Sequence, residues 1–133
     1  MKILALDFGG RRIGVAAGDS EIGVANARNF LLNDDEIFEN LRELVEREGV
    51  AKILVGLPLG LSGETEQTKL TREFAAKLDS KVAATIELVD ERFTSKIAEK
   101  NLQTANFDSR EQKNLVDSES ARIILQEYFD ANF

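Results

Sequence analysis

Three acidic positions in this sequence are candidates for chemistry, because each lies at the end of an apolar stretch. Asp7 follows the apolar run 3–6, and the pair Asp90-Glu91 follows another apolar run. Asp117 lies four residues before Ala121, which belongs to the apolar face of the last predicted helix. An ionised carboxylate in such a position is costly unless it is paired, hydrated or bound to a cation. Converging carboxylates without histidine are typical of Mg²⁺ or Mn²⁺ sites with oxygen ligands.

The composition narrows the possible chemistry further. The 133 residues include no histidine and no cysteine, which excludes imidazole catalysis, thiolate metal ligands and a Ser/His/Asp triad. The length and the 43% hydrophobic content predict one globular domain over residues 1–133. We find no leader and no apolar run of about 18 residues, so we expect a cytoplasmic protein with no membrane partner. The net charge of −7 argues against tight non-specific nucleic-acid binding, unless bound cations or a basic rim offset it.

The order of the predicted elements brings two of the acids to one edge. A hairpin turns at Gly9 and Gly10, which permit positive φ, and a third strand is predicted over residues 22–32. Helices and strands then alternate, which predicts an α/β fold with a mixed five-stranded sheet, strands 1, 4 and 5 parallel and helices on both faces. Ligands bind where parallel strands share their carboxyl edge. Asp7 and Glu91 are both predicted to lie there.

Local signals predict where the later elements begin and end. The triplet Asn33-Asp34-Asp35 offers N-cap chemistry for the first helix, and Gly49 a stop. The second helix is expected to begin near Ser62 and to bury Leu70, Phe74 and Leu78. Residues 82–89 are predicted as the fifth strand, 104–113 as a mobile polar loop and about 115–129 as the last helix, and Thr94 or Ser95 as the cap of a short helix between strand and loop.

Each candidate also has a purely structural interpretation. Asp7 could be a turn aspartate that accepts backbone hydrogen bonds, and Asp117 could be a helix N-cap. The glycine-rich segment 56–63 resembles an anion-cradling turn, but a plain connection from strand to helix is the simpler interpretation. Adjacent strand residues point to opposite faces, so only one acid of the pair Asp90 and Glu91 can face the metals, and we favour Glu91.

The functional interpretation is phosphodiester hydrolysis. Two Mg²⁺ or Mn²⁺ ions about 3.5–4 Å apart can activate water and stabilise the leaving oxygen. An arginine near the acids, either Arg12 or Arg92, would then bind the phosphate.

Four motifs, taken together and in order, resemble those of the YqgF/RuvX family. They span nearly the whole chain: Asp7-Phe-Gly with Arg12-Ile-Gly-Val-Ala, Val55-Gly-Leu-Pro-Leu59 with Gly63 and Gln67, Asp90-Glu-Arg-Phe-Thr-Ser95, and Asp117 with Ala121 and Ile124-Leu125. The resemblance implies an RNase H-like fold and a metal-dependent endonuclease that matures the 5′ end of pre-16S ribosomal RNA. It also implies the following roles: Asp7, Glu91 and Asp117 as catalytic acids and metal ligands, and Arg92 with the turn from Gly56 to Pro58 as the wall of the substrate cleft.

Two departures from the family pattern stand near the last motif. Ser120-Ala121 takes the place where the family typically has two small residues together, which leaves the metal site intact. The segment Asp108-Ser-Arg-Glu-Gln-Lys113 is less basic than its family counterpart, which bears on nucleic-acid affinity.

Several alternatives remain open at this point. A Holliday-junction resolvase acting on branched DNA, and a catalytically silent module that binds RNA or the ribosome, are both compatible with the motifs. A nucleotide-binding enzyme of the actin, Hsp70 and sugar-kinase type needs two such domains, and a receiver domain lacks the opening hairpin. RNA versus DNA, and monomer versus the dimer that symmetric junction cleavage favours, are left undecided.

Overall fold

The computed structural model describes residues 1–59, 63–90 and 109–133, with side chains from Ser118 onward in the last range. These ranges contain five strands and three helices. In chain order they are β1 (Lys2–Phe8), β2 (Arg12–Asp19), β3 (Asn26–Leu32), α1 (Ile37–Glu48), β4 (Val50–Leu57), α2 (Glu66–Asp79), β5 (Thr85–Asp90) and α3 (Ser109–Asn132). Among the described helices, none has the length and apolarity needed to span a membrane.

The five strands form one mixed sheet in the order β3-β2-β1-β4-β5. β2 is antiparallel to β1 and to β3, whereas β4 is parallel to β1 and to β5. The predicted sheet, with strands 1, 4 and 5 parallel, is therefore confirmed. Because β1 lies in the centre, its carboxyl end is flanked by β2 on one side and β4 on the other.

A hydrophobic cluster lies on each face of the sheet, so the prediction of helices on both faces is also confirmed. Leu4 and Leu6 of β1 pack with α1 and α2, and Ile3 and Ala5 pack with α3. Successive strand residues point to opposite faces, so the odd-numbered residues of β1 face α3. The helical residues of the α3 cluster are Ala121, Ile124, Leu125 and Phe129, and Tyr128 packs at its margin. Helical spacing in the sequence predicts Ala121, Ile124, Leu125 and Tyr128 for this face, so Phe129 was missed.

The ends of α1 follow one prediction and contradict another. Gly49 caps the helix with a φ of 66°, a left-handed conformation that glycine adopts without strain. The N-cap is Glu36, which makes no side-chain cap hydrogen bond. Asp34 accepts from the Glu36 backbone N–H at 3.0 Å, whereas the Asn33 side chain is used elsewhere. The expectation that the triplet Asn33-Asp34-Asp35 supplies the N-cap is therefore wrong.

The second helix begins later than predicted, at Glu66. Its N-cap is Thr65, which forms a capping box with Thr68, and Ser62 lies outside the described residues. Phe74 and Leu78 are buried as predicted, but Leu70 is 42% exposed. The buried face also includes Thr68, Thr71 and Ala75, so short polar side chains occupy core positions that an apolar pattern does not reveal.

Three other boundaries differ from the sequence predictions. β3 begins at Asn26 instead of 22, because a turn with Gly23 at φ 77° precedes it. β5 begins at Thr85 instead of 82 and ends at Asp90. α3 begins at Ser109, so residues 109–113 are helical and not part of a loop as predicted; residues 104–108 lie outside the described residues. Asp117 consequently lies inside a helix, and its interpretation as an N-cap is wrong. The predicted short helix near residue 95 lies outside the described residues.

Candidate active site at the carboxyl edge of the sheet

Asp7 lies near the end of the central strand, on the face that α3 covers. It is half-buried and is paired with Gly14 of β2. On the other side Leu6 is paired with Val55 of β4, so Asp7 and Gly56 each come one residue later. Both glycines are buried. The residues level with Asp7 on both neighbouring strands are therefore glycines, which have no side chain.

The turn between β1 and β2 is fixed by close backbone packing. A Cβ atom at Gly9 would lie 2.5 Å from the carbonyl oxygen of Arg12, closer than real Cβ atoms approach. The Asn33 side-chain amide donates to the carbonyls of Gly9 at 2.8 Å and Gly10 at 3.4 Å. Neither glycine has a left-handed φ, so the expectation that the turn needs Gly9 and Gly10 for positive φ is wrong. Gly9 is required by space, not by φ.

Arg12 leaves this turn and stacks on an aromatic ring of β3. Its guanidinium carbon lies 4.8 Å from the centroid of Phe30. Arg12 pairs with Leu32 of β3. It lies two residues before Gly14, the strand partner of Asp7, and therefore on the same face as Asp7. Arg12, one of the two arginines predicted to bind the phosphate, thus lies on the same face as Asp7.

Two hydrogen bonds connect the start of α2 to the ends of β4 and β1. The hydroxyl of Thr68 donates to the carbonyl of Pro58. The side-chain amide of Gln67 donates to the carbonyl of Phe8 at 3.4 Å, one residue after Asp7. Gly56 itself lies inside β4 and is buried, so the expectation of a turn beginning at Gly56 is wrong. The connection begins at Pro58.

Helix α3 also contributes to the site, and two of its side chains hydrogen-bond to β2 and to the turn between β2 and β3. Near the site, Ser118 accepts from the backbone N–H of Val15 at 3.4 Å. Further along, the amide of Gln126 accepts from the backbone N–H of Ala25 at 3.0 Å and donates to the carbonyl of Gly23 at 2.9 Å. Ser118, which follows Asp117, thus contacts Val15, which follows Gly14. Gly14 is the strand partner of Asp7.

At the far side of the site, β5 presents alternate residues to the two faces. Ile86 packs with the α1 and α2 cluster, and Leu88 lies beside α2. Val89 packs with the α3 cluster. Continued alternation places Asp90 on the α2 face, away from Asp7.

The predicted site residues are described to different extents. Asp7, Arg12, Gly56 and Pro58 lie at one edge of the sheet, whereas Glu91 and Arg92 fall outside the described residues and Asp117 is described in its backbone only. Among the described side chains, no three acids cluster in a way that could hold a metal ion. Convergence of the three predicted acids therefore stays a prediction.

Sequence reasoning missed the residues that support the site. Ser118 and Thr68 are buried hydroxyl residues, and Asn33 holds the turn before Arg12. Ser118 gave one usable signal, because it is a small polar residue in the apolar stripe of a helix. Asn33 and Thr68 gave none, because their partners are backbone carbonyls distant in sequence.

Comparison with known proteins identifies the family of this chain. The family described as "RuvX: Holliday junction resolvase" matches residues 1–131. "Putative pre-16S rRNA nuclease" of Sulfurihydrogenibium sp. (strain YO3AOP1) is 43% identical over 97% of this chain and 90% of its own length. The protein of the same name from Maridesulfovibrio salexigens is 41% identical over 95% of this chain and 96% of its own.

Among solved structures, Thermus thermophilus RuvC bound to a Holliday junction substrate has a similar fold. The TM-score is 0.61 at 11% sequence identity, over 98% of this chain and 94% of the other. At this identity the likeness concerns the fold alone, and it supports the RNase H-like architecture. The match over nearly the whole chain, and the relatives above 40% identity, show that the chain belongs to the RuvX family.

Proposed function

We propose that this protein is a metal-dependent endonuclease that hydrolyses a phosphodiester bond of precursor 16S ribosomal RNA, near its 5′ end, in the cytoplasm. Its family membership and the names of its relatives support the reaction class and the substrate. The proposed catalytic acids are Asp7, Glu91 and Asp117.

One observation carries the proposal: the hydrogen bond between Ser118 and Val15. Val15 follows Gly14, which is paired with Asp7 across the hairpin. Ser118 follows Asp117 in α3. The backbones that carry Asp7 and Asp117 are thereby held close together at the same edge of the sheet, which supports a shared role for the two acids.

The placement of Val89 supports Glu91 as the third acid. Val89 faces α3, and two steps along an extended strand return to the same face. If the extended backbone continues past Asp90, the side chain of residue 91 faces Asp7 and Asp90 does not. The choice of Glu91 over Asp90 as metal ligand depends on this alternation of side chains between the two faces of the strand.

The donor set fits Mg²⁺ or Mn²⁺. Carboxylate oxygens are the ligands these ions prefer, and the chain has no histidine or cysteine to favour a softer metal. Asp7, Glu91 and Asp117 would hold the ions. Bound in pairs, such ions activate water and stabilise a leaving oxygen. Arg12 and Arg92 would bind the phosphate.

The test is cleavage of defined substrates in Mg²⁺ and in Mn²⁺. The substrates are a precursor 16S fragment with its 5′ leader, the same fragment without the leader, and a four-way DNA junction. We expect cleavage of the first RNA, its loss in Asp7→Asn and its retention in Asp19→Asn. Asp19 lies at the opposite end of the hairpin, paired with Lys2, and is therefore a matched control.

Other results of this experiment would indicate a different function. Cleavage of the junction without cleavage of RNA identifies a resolvase. Equal background activity in wild type and Asp7→Asn on every substrate contradicts catalysis and identifies a silent RNA- or ribosome-binding module. Thermal unfolding of Asp7→Asn confirms that the variant is folded, so that lost cleavage reports on chemistry.

A further inference from the structure

A patch of basic and apolar side chains lies beside Asp7, on the side away from β4. At its centre the guanidinium of Arg12 stacks on the ring of Phe30, and both residues are half-buried. Arg11 is exposed, and Leu32 is 58% exposed. We call the stacked pair the Arg12–Phe30 platform. In a chain with a net charge of −7, Arg12 places a positive charge beside an aromatic ring on the face of Asp7.

Two hydrogen bonds from Asn33 hold the backbone that carries the platform. The backbone N–H of Asn33 donates to the carbonyl of Arg11 at 2.9 Å, and its side-chain amide donates to the carbonyl of Gly9 at 2.8 Å. The turn that carries both arginines is therefore fixed to the end of β3, the strand that carries Phe30. A preformed surface loses little conformational freedom when a ligand binds.

The platform lies at a suitable distance from the proposed acids. Arg12 is two residues from Gly14, the partner of Asp7, and lies on the same face. Phe30 lies one strand further, and with a strand spacing of about 4.8 Å it is about 10 Å from β1. A nucleic-acid strand with one phosphate at Asp7 can therefore place a neighbouring nucleotide over the platform.

We propose that the Arg12–Phe30 platform binds an unpaired base of single-stranded RNA next to the scissile phosphate. Bases of single strands stack on aromatic rings and on guanidinium planes, whereas bases in a duplex are already stacked and cannot reach such a surface. The platform thereby selects a single-stranded segment as substrate. This inference rests on the proposed nuclease function and specifies its substrate.

Equilibrium binding without divalent ions tests the platform, because cleavage then cannot intervene. The probes are a fluorescein-labelled single-stranded RNA of twelve or so nucleotides and the same sequence as a duplex. Phe30→Leu keeps an apolar side chain but removes the ring, and Phe30→Tyr keeps the ring as a matched control. We expect Phe30→Leu to weaken single-strand binding by about 5- to 150-fold, the usual effect of losing one stacked base, and to leave duplex binding unchanged.

Salt dependence separates stacking from charge. Arg12→Ala should lower the slope of log K against log[salt] by about 0.7, because one phosphate contact is lost, whereas Phe30→Leu should leave that slope unchanged. The inference is overturned if Phe30→Leu binds the single strand like wild type, if it loses single strand and duplex equally, or if wild type binds no single strand. Wild-type cleavage that depends on Asp7 would still support the nuclease function in each of these cases.

Discussion

Val89 and Asp90, both near the proposed site, lie on opposite faces of β5 because they are adjacent residues of an extended strand. Val89 packs with the cluster under α3. Asp90 continues the row of Ile86 and Leu88, which face α1 and α2. Asp90, the last residue of β5 and the first of the acidic pair Asp90-Glu91, therefore points away from Asp7.

This relationship predicts unequal effects of two neighbouring substitutions. Glu91→Gln should lower the single-turnover cleavage rate by about 100-fold or more, as expected when a group that stabilises developing charge is removed. Asp90→Asn should change the rate by less than about threefold, since one exposed carboxylate of the opposite face contributes little. Loss of cleavage in Asp90→Asn with activity retained in Glu91→Gln would instead indicate a bulge at the end of β5.

A second prediction concerns the turn before Arg12. Gly9→Ala should destabilise the protein by about 1–3 kcal/mol, because its methyl group would lie 2.5 Å from the Arg12 carbonyl oxygen. Gly10→Ala is the matched control, since nothing lies within 4 Å of the corresponding position. The free energies of unfolding in urea should therefore differ between the variants. Equal values would show that the turn relaxes at little cost.

The sequence predicted the sheet well for a physical reason. The runs in β1, β2 and β4 are apolar on both faces, and such strands must be covered by helices on both sides. Their order along the chain then determines which strands are parallel. Most of the apolar face of α3 could also be predicted from the sequence, because Ala121, Ile124 and Leu125 follow helical spacing.

The details that failed depend on contacts distant in sequence. Leu70 is exposed because Thr68 and Thr71 occupy the buried face of α2, where their hydroxyls bond to the carbonyls of Pro58 and Gln67. The start of α3 was missed because residues 109–113 are polar, and good helix formers without an apolar stripe look like a loop. The acids Glu91 and Asp117 stay predictions, since their side chains lie outside the described residues.

A third prediction concerns the pH dependence of stability. Glu48 accepts two hydrogen bonds from Arg28, at 3.1 and 2.6 Å, and lies 3.3 Å from the Lys2 ammonium. The Arg28 hydrogen bonds, more than the nearby Lys2, lower the pKa of Glu48 below its ordinary 4.5. A lowered folded-state pKa gives stability that is complete above the unfolded pKa and is lost as the pH falls through the folded one.

Glu48→Gln should accordingly cost about 1–2 kcal/mol at pH 7, and the difference from wild type should shrink as the pH falls below 4.5. Glu46→Gln in the same helix is the control, because Glu46 is 64% exposed and its ion pair with Arg42 lies at the surface. It should cost less than about 0.5 kcal/mol. Chemical denaturation at several pH values measures both, and a Glu48 effect independent of pH would contradict the ion-pair explanation.

The last prediction compares two buried serines of α3. Ser118 accepts from the N–H of Val15, at a point where the pairing of β2 with β3 is irregular. Ser120 is fully buried, and within the described residues its hydroxyl has no hydrogen-bond partner. Ser118→Ala should therefore destabilise by about 1–2 kcal/mol, because it leaves a buried donor unsatisfied. Ser120→Ala should be neutral or stabilise by about 1 kcal/mol, because it removes a buried hydroxyl that gains nothing.

The two substitutions share the same gain in helix propensity, so their difference isolates the hydrogen bond. Urea unfolding with equal m values measures that difference. Ser118→Ala should also slow cleavage, since it releases the turn of α3 next to Asp117, whereas Ser120→Ala should not. Equal stability of the two variants would show that the hydrogen bond between Ser118 and Val15 contributes nothing measurable to holding α3 at the site.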